Sequence, residues 1–159
     1  MVIGLGSNLG DRAETIRAAV RALRADPALF VLRESPLYES PPAGGPPQGD
    51  YLNGAVLLVT SLPGQDILER TLAIEQSLGR TRPDAERCGP RTIDLDVLWI
   101  EGEALDEPGL TVPHPRLRER VFALRPLVDL APDARDPHTG EAYASLPETD
   151  APLRRHDAG

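Results

Sequence analysis

At 159 residues, 40% hydrophobic and 26% charged, the chain is sized for one globular domain around one core. Its formal charge is −8 and all 17 basic residues are arginine; a general nucleic-acid binder would carry a basic face, and the lysine that a P-loop or a protein kinase lays on phosphate is missing. No apolar run reaches the roughly 18–20 residues that cross a bilayer, no signal-peptide pattern opens the chain and a lone cysteine, Cys88, excludes an internal disulfide framework, so a cytoplasmic protein without membrane or nucleic-acid partners is expected.

Residues 2–7 read as a buried strand. Asp11 then starts a helix with Glu14 three residues on, a capping-box pattern, and Ile16, Ala19, Val20 and Leu23 form its apolar stripe. Phe30 to Tyr38 reads as a second strand, and the proline- and glycine-rich stretch 40–49 as a long loop, a feature often tied to function. Tyr51 to Thr60 is a third strand. Pro63-Gly64 leads into a second helix that ends near Leu78, with Gly79 as its C-terminal stop. An arginine-rich loop runs to Pro90, and Thr92 to Ile100 is a fourth strand. This βαββαβ order predicts an α+β fold of ferredoxin-like type, an antiparallel sheet backed by helices, with a C-terminal helical extension over about 116–128. The polar, proline-broken composition after Asp129 predicts a mobile tail from about 135 within a single domain spanning 1–159.

The strongest chemical signal is Asp94-Leu95-Asp96. Strand alternation puts both aspartates on one face, with Cα atoms about 6.5–7 Å apart. Adjacent carboxylates repel unless a cation lies between them, and oxygen ligands suit magnesium. A solvated sheet face is the plainer alternative. The loop 79–91 delivers Arg80, Arg82, Arg87 and Arg91 beside these aspartates, and guanidinium groups bind phosphate bidentately. Its alternative is a surface loop with the arginines paired to Asp84 and Glu86. A second cluster, Arg116, Arg118, Arg120 and Arg125, also suggests discrete anionic ligands. Glu75 falls on or beside the apolar stripe of the second helix and needs a partner, Arg80 or Arg91 being candidates. His114, fixed between Pro113 and Pro115, is placed to meet an anion or a ribose. Tyr51 and Phe122 could stack a flat heterocycle whose edge Asn53 reads, or belong to the core. The run Gly4-Leu5-Gly6 has the wrong spacing for a dinucleotide fingerprint, and the element order is not Rossmann.

Gly6-Ser7-Asn8-Leu9, Tyr38 through Pro42, Asp50-Tyr51-Leu52-Asn53, Gly79-Arg80, Gly89-Pro90-Arg91-Thr92-Ile93-Asp94-Leu95-Asp96 and Leu110-Thr111-Val112-Pro113-His114-Pro115-Arg116 follow one another over roughly residues 3–130. In this order they resemble the 6-hydroxymethyl-7,8-dihydropterin pyrophosphokinases of folate biosynthesis. The resemblance implies a kinase-type transferase that moves pyrophosphate from ATP to the pterin hydroxyl and releases AMP. It implies that Asp94 and Asp96 hold two Mg2+ ions, and that Arg80 and Arg91 contact phosphates and stabilise the transition state. Tyr51 and Phe122 would sandwich the pterin, with Asn53 and the main chain around Ser40, Pro41 and Ala43 reading its edge; Thr111, His114 and Arg120 would contact ATP. A monomer is implied, with moving loops after Asn8, at 41–49 and at 80–91. Cys88 stands where the family often has a bulky aromatic, a departure that bears on loop closure. A nucleotidyl transferase on the same scaffold is a rival reading, whereas an RNA-recognition module fits poorly with 4% aromatics and excess acid.

Overall fold

The computed structural model describes residues 1–41, 49–79 and 92–156. Six strands form one antiparallel sheet: β1 (Val2–Ser7), β2 (Phe30–Glu34), β3 (Tyr38–Ser40), β4 (Tyr51–Val59), β5 (Asp94–Trp99) and β8 (Arg154–Arg155). Its order is β5-β1-β4-β3-β8, with β2 also on β4. With helices α1 (Arg12–Ala25) and α2 (Gly64–Ser77), this is the ferredoxin-like arrangement expected from the sequence. A hairpin of β6 (Leu105–Glu107) and β7 (Leu110–Val112), not foreseen in the sequence, precedes helix α3 (Val121–Leu130).

Strand alternation divides the core. Ile3 and Leu5 of β1, Leu52, Val56 and Leu58 of β4, and Leu95 and Val97 of β5 face α1 and α2. Ile16, Ala19, Val20 and Leu23 meet them from α1, as the helical stripe requires. Val2, Ala55, Leu98 and Trp99 belong to a second cluster with Leu124, Leu127 and Leu130 of α3. The β1–β5 register slips there: Val2 faces Trp99 while Ile3 faces Val97. Leu98 is the extra residue of this bulge, so β5 commits Leu98 and Trp99 in succession to the second cluster.

Local chemistry sets the element ends. Asp11 Oδ1 accepts from the Glu14 N–H at 3.1 Å, but the reciprocal half of the capping box does not form: the Glu14 carboxylate turns to Arg17 at 3.2 Å and Arg21 at 2.8 Å. The single strand expected over 30–38 is two, β2 and β3. Pro36 brings no N–H to a ladder, and Ser35 closes the strand instead: its N–H donates to the Ala55 carbonyl and its hydroxyl accepts from the Ala55 N–H, each at 2.9 Å. Gly79, at φ 98°, follows α2 as expected. The helix expected over 116–128 is broken. A short 3-10 turn at Leu117–Glu119 ends at Arg120, whose extended backbone (φ −115°, ψ 101°) starts α3. The Arg120 carbonyl accepts from the N–H groups of Ala123 at 3.0 Å and Leu124 at 2.9 Å.

The segment after about 135, expected as a mobile tail, makes definite contacts over its described residues. Tyr143 and Leu146 are buried in the second cluster. Arg125 donates to the Thr149 carbonyl at 2.8 Å and the Ala151 carbonyl at 3.2 Å, and β8 pairs with β3. A polar composition conceals this packing because only a few anchors carry it. We expect Leu146→Ala to lower unfolding stability by about 2–5 kcal/mol, seen as an earlier urea midpoint. A loosely held tail would leave the midpoint where it is.

Candidate active site

On the second face, α3 covers one half of the sheet and leaves a hollow over the other. Its floor is β1, where Gly4 and Gly6 point toward the hollow and carry no side chain. A Cβ on Gly6 would lie 3.2 Å from Asn53 Oδ1 and 3.6 Å from Tyr51 Cδ1; one on Gly4 would lie 3.0 Å from Leu98 Cδ1. The walls are neighbouring strands. Asp94 is paired with Gly6 and Asp96 with Gly4 on one side, and Asn53 with Gly6 on the other. His114, Arg120, Phe122 and Ala123 close the hollow from the α3 side, and Ser40 and Pro41 from β3. It encloses about 160 Å³, below the roughly 300–1,000 Å³ that engulfs a drug-sized ligand. That is room for one flat ring system.

Each wall is fixed by its own bonds. Asn53 Nδ2 donates to Ser40 Oγ at 2.7 Å, and both residues are buried. The Arg120 guanidinium sits over the Phe122 ring, 5.6 Å from its centre. The His114 N–H donates to the Leu98 carbonyl at 2.9 Å, and its Nδ1 accepts from the Arg116 N–H at 3.2 Å. The roots of the proline-rich segment are tied together as well. Arg12 reaches Glu39 at 2.9 Å and the Asp50 carbonyl at 3.0 Å, while Asn8 Nδ2 donates to the Gly49 carbonyl at 3.2 Å.

Of the residues expected at a site, Ser40, Pro41, Tyr51, Asn53, Asp94, Asp96, His114, Arg120 and Phe122 line this one hollow. Thr111 does not: it is exposed on β7 and outside the lining. Ala43, Arg80, Arg91 and Cys88 lie outside the described residues. The second arginine cluster divides. Arg120 reaches the hollow, whereas Arg118 pairs with Asp136 at 3.1 Å and with Glu141, and Arg125 holds the C-terminal carbonyls. Those two arginines are structural. Glu75 has a main-chain partner, the Leu95 N–H at 2.7 Å, and the arginines considered for it fall outside the described residues. Sequence reading missed Gly4 and Gly6 as the floor; their signal was two glycines at strand spacing, opposite Asp96 and Asp94.

Among the described residues no three His, Cys, Asp or Glu side chains gather into a metal cluster. The donor set is thus the aspartate pair. Zinc sites call for three or four ligands rich in nitrogen and sulfur. Magnesium takes one or two carboxylates and fills its shell with water and phosphate oxygens, so the pair fits magnesium.

Fold and site define an α+β protein of ferredoxin-like order with a small-ligand hollow on the half of its sheet that α3 leaves open. The chain belongs to the 7,8-dihydro-6-hydroxymethylpterin-pyrophosphokinase (HPPK) family, whose model matches residues 2–132. It is 42% identical to the 2-amino-4-hydroxy-6-hydroxymethyldihydropteridine pyrophosphokinase of Synechocystis over 147 residues, 92% of this chain and 74% of that one. With the protein of the same name from Bacillus subtilis it shares 43% over 148 residues, 93% of this chain and 84% of the other. A crystal structure of an HPPK-DHPS in complex with substrates matches its fold with a TM-score of 0.66 at 14% identity; the match covers 91% of this chain and 42% of that longer one. Among the described residues no helix is long and apolar enough to cross a membrane.

Burial pushes the His114 imidazole below its ordinary value, and Arg120 adds to this against the opposing pull of Asp94. Its folded value therefore lies under the unfolded one of about 6.5. The stability linked to it is complete above that pH and is lost as pH falls toward the folded value. In the metal-free protein, NMR titration should give a His114 midpoint below 6.5. A midpoint at or above that value contradicts the burial account.

Proposed function

We propose that the chain transfers a pyrophosphoryl group from ATP to 6-hydroxymethyl-7,8-dihydropterin, giving AMP and the pterin diphosphate. The observation that carries this reading is that Asp94 and Asp96 line the same small hollow as Tyr51, Asn53 and Phe122. A hollow that admits one ring system suits the pterin, and leaves the triphosphate to its aspartate side. In this reading Tyr51 and Phe122 take the faces of the ring, and Asn53 with the main chain at Ser40, Pro41 and Ala43 takes its edge. His114 and Arg120 meet the nucleotide, with Thr111 reaching it only from outside the hollow. Arg80 and Arg91 supply phosphate contacts.

The chemistry requires little more than positioning and charge. The pterin hydroxyl oxygen forms a bond to the β-phosphorus, and the bond from that phosphorus to the α,β-bridging oxygen breaks, its electron pair leaving with AMP. In this reading Asp96 takes the proton that the hydroxyl gives up. Holding the hydroxyl in line with the β-phosphorus supplies much of the acceleration. A chain of net charge −8 with two aspartates in its site repels a triphosphate unless cations intervene. Asp94 and Asp96 would hold Mg2+, two ions in all, which when bound neutralises polyphosphate charge. The reading includes a monomer acting in the cytoplasm.

The deciding assay mixes protein, ATP, Mg2+ and the hydroxymethyl pterin and identifies the nucleotide product. AMP formed only with the pterin is expected; release of free pyrophosphate would mark nucleotidyl transfer instead. Asp96→Ala should cut turnover by about 1,000-fold or more with its unfolding midpoint kept, and near-normal turnover would refute the metal assignment. Phe122→Ala should raise the pterin KM by about tenfold, roughly 1.4 kcal/mol of lost stacking, and an unchanged KM would remove Phe122 from the ring site.

A further inference from the structure

We infer that Glu75 positions the aspartate pair, its side-chain carboxyl gripping the main chain of β5 at Leu95, between Asp94 and Asp96. The inference rests on the reading that these aspartates hold divalent cations.

Glu75 is the third member of a stripe on α2. Ile67, Thr71 and Glu75, at successive four-residue steps, are the buried residues of that helix. Glu75 is 1% exposed, as deep as Thr71 and close to Ile67 at 0%. Packing alone would put an apolar residue there, since a buried carboxyl is costly without hydrogen bonds. One such bond comes from the Leu95 N–H, 2.7 Å from Oε2. Among the described residues β5 ends the sheet order, so this donor lies on an edge with no neighbouring strand in the sheet. Glu75 stands where a strand partner would otherwise be.

The position of that bond along β5 gives it consequence. Leu95 points into the α1–α2 side of the core, and the residues before and after it point into the hollow. Their carboxylates get no side-chain support from β1, which offers Gly6 and Gly4 opposite them. Fixing the Leu95 amide therefore fixes the two Cα atoms on either side, and with them the spacing of the two carboxyl groups. Outer partners that orient metal-binding groups commonly change metal affinity by about 10–100-fold when removed. Glu75 is thus a positioning residue acting through the backbone.

Mn2+ serves as the probe, its binding read by electron paramagnetic resonance with a non-hydrolysable ATP analogue, and the unfolding midpoint of each protein is measured alongside. Glu75→Gln keeps an acceptor for the Leu95 N–H and should bind Mn2+ close to wild type. Glu75→Ala and Glu75→Leu should weaken Mn2+ by about tenfold or more. Equal affinity in all of these proteins overturns the inference, and so does a Gln loss as large as the Ala loss, which would make charge and not the bond the active feature. If Asp96→Ala binds Mn2+ as well as wild type, it is the metal reading that fails, a separate result. Should the Ala and Leu variants not fold, the wild type decides. By reciprocity, Mg2+ with the analogue must slow hydrogen exchange at the Leu95 amide, and an unchanged rate overturns the inference.

Discussion

Between the aspartates on β5 and the aromatic and amide side chains on β4, strand β1 presents Gly6 and Gly4, and this gap in a central strand is the constraint on which the site depends. A side chain at Gly6 would press on Asn53 Oδ1, and one at Gly4 on Leu98. With the gap, residues two strands apart look across open space at one another. Glycine weakens a strand by roughly 0.5–1 kcal/mol relative to alanine, a cost the flanking ladders on both sides of β1 can bear.

The same face must also be closed where no ligand goes, and this falls to α3 and the C-terminal segments. The bulge that sends Leu98 and Trp99 together into the second cluster marks the border between closed and open halves. The extended residue ahead of α3 belongs to the same border: it lets Arg120 and Phe122 reach the hollow while Leu124 and Leu127 stay in the core. Arginines do different work on the two sides of it. Arg118 and Arg125 are spent on the C-terminal framework and Arg12 on the roots of the proline-rich segment, which leaves Arg120 facing the hollow among the described arginines.

The element order was legible because the periodicities were clean: α1 carries its stripe at 16, 19, 20 and 23, and β5 alternates without a break through Asp94 and Asp96. Ser40, Tyr51, Asn53, Asp94 and Asp96 converge because they sit on strands, where phase decides which face they join. The misses have a common cause. The split at Ser35–Pro36, the break at Arg120 and the docking of Tyr143 and Leu146 all depend on long-range partners, Ala55, the second cluster and β3, that no local window contains. Thr111 stays outside the hollow for a related reason: β7 belongs to a hairpin outside the main sheet, so its phase does not point there. Arg118 and Arg125 resemble anion ligands in sequence because a guanidinium that binds phosphate and one that binds a carboxylate or carbonyl oxygens of its own chain are the same residue.

The bond between Asn53 and Ser40 has a further effect. Because Nδ2 is committed to the serine hydroxyl, the amide cannot swing freely, and its oxygen overhangs Gly6 within the hollow. A visiting ring therefore meets an acceptor at that point, and must offer hydrogen in return. Tautomers that keep a ring or exocyclic N–H on that edge are matched; a heterocycle of the same outline with a bare ring nitrogen or a carbonyl there brings lone pair against lone pair and is turned away on electronic grounds, not on shape.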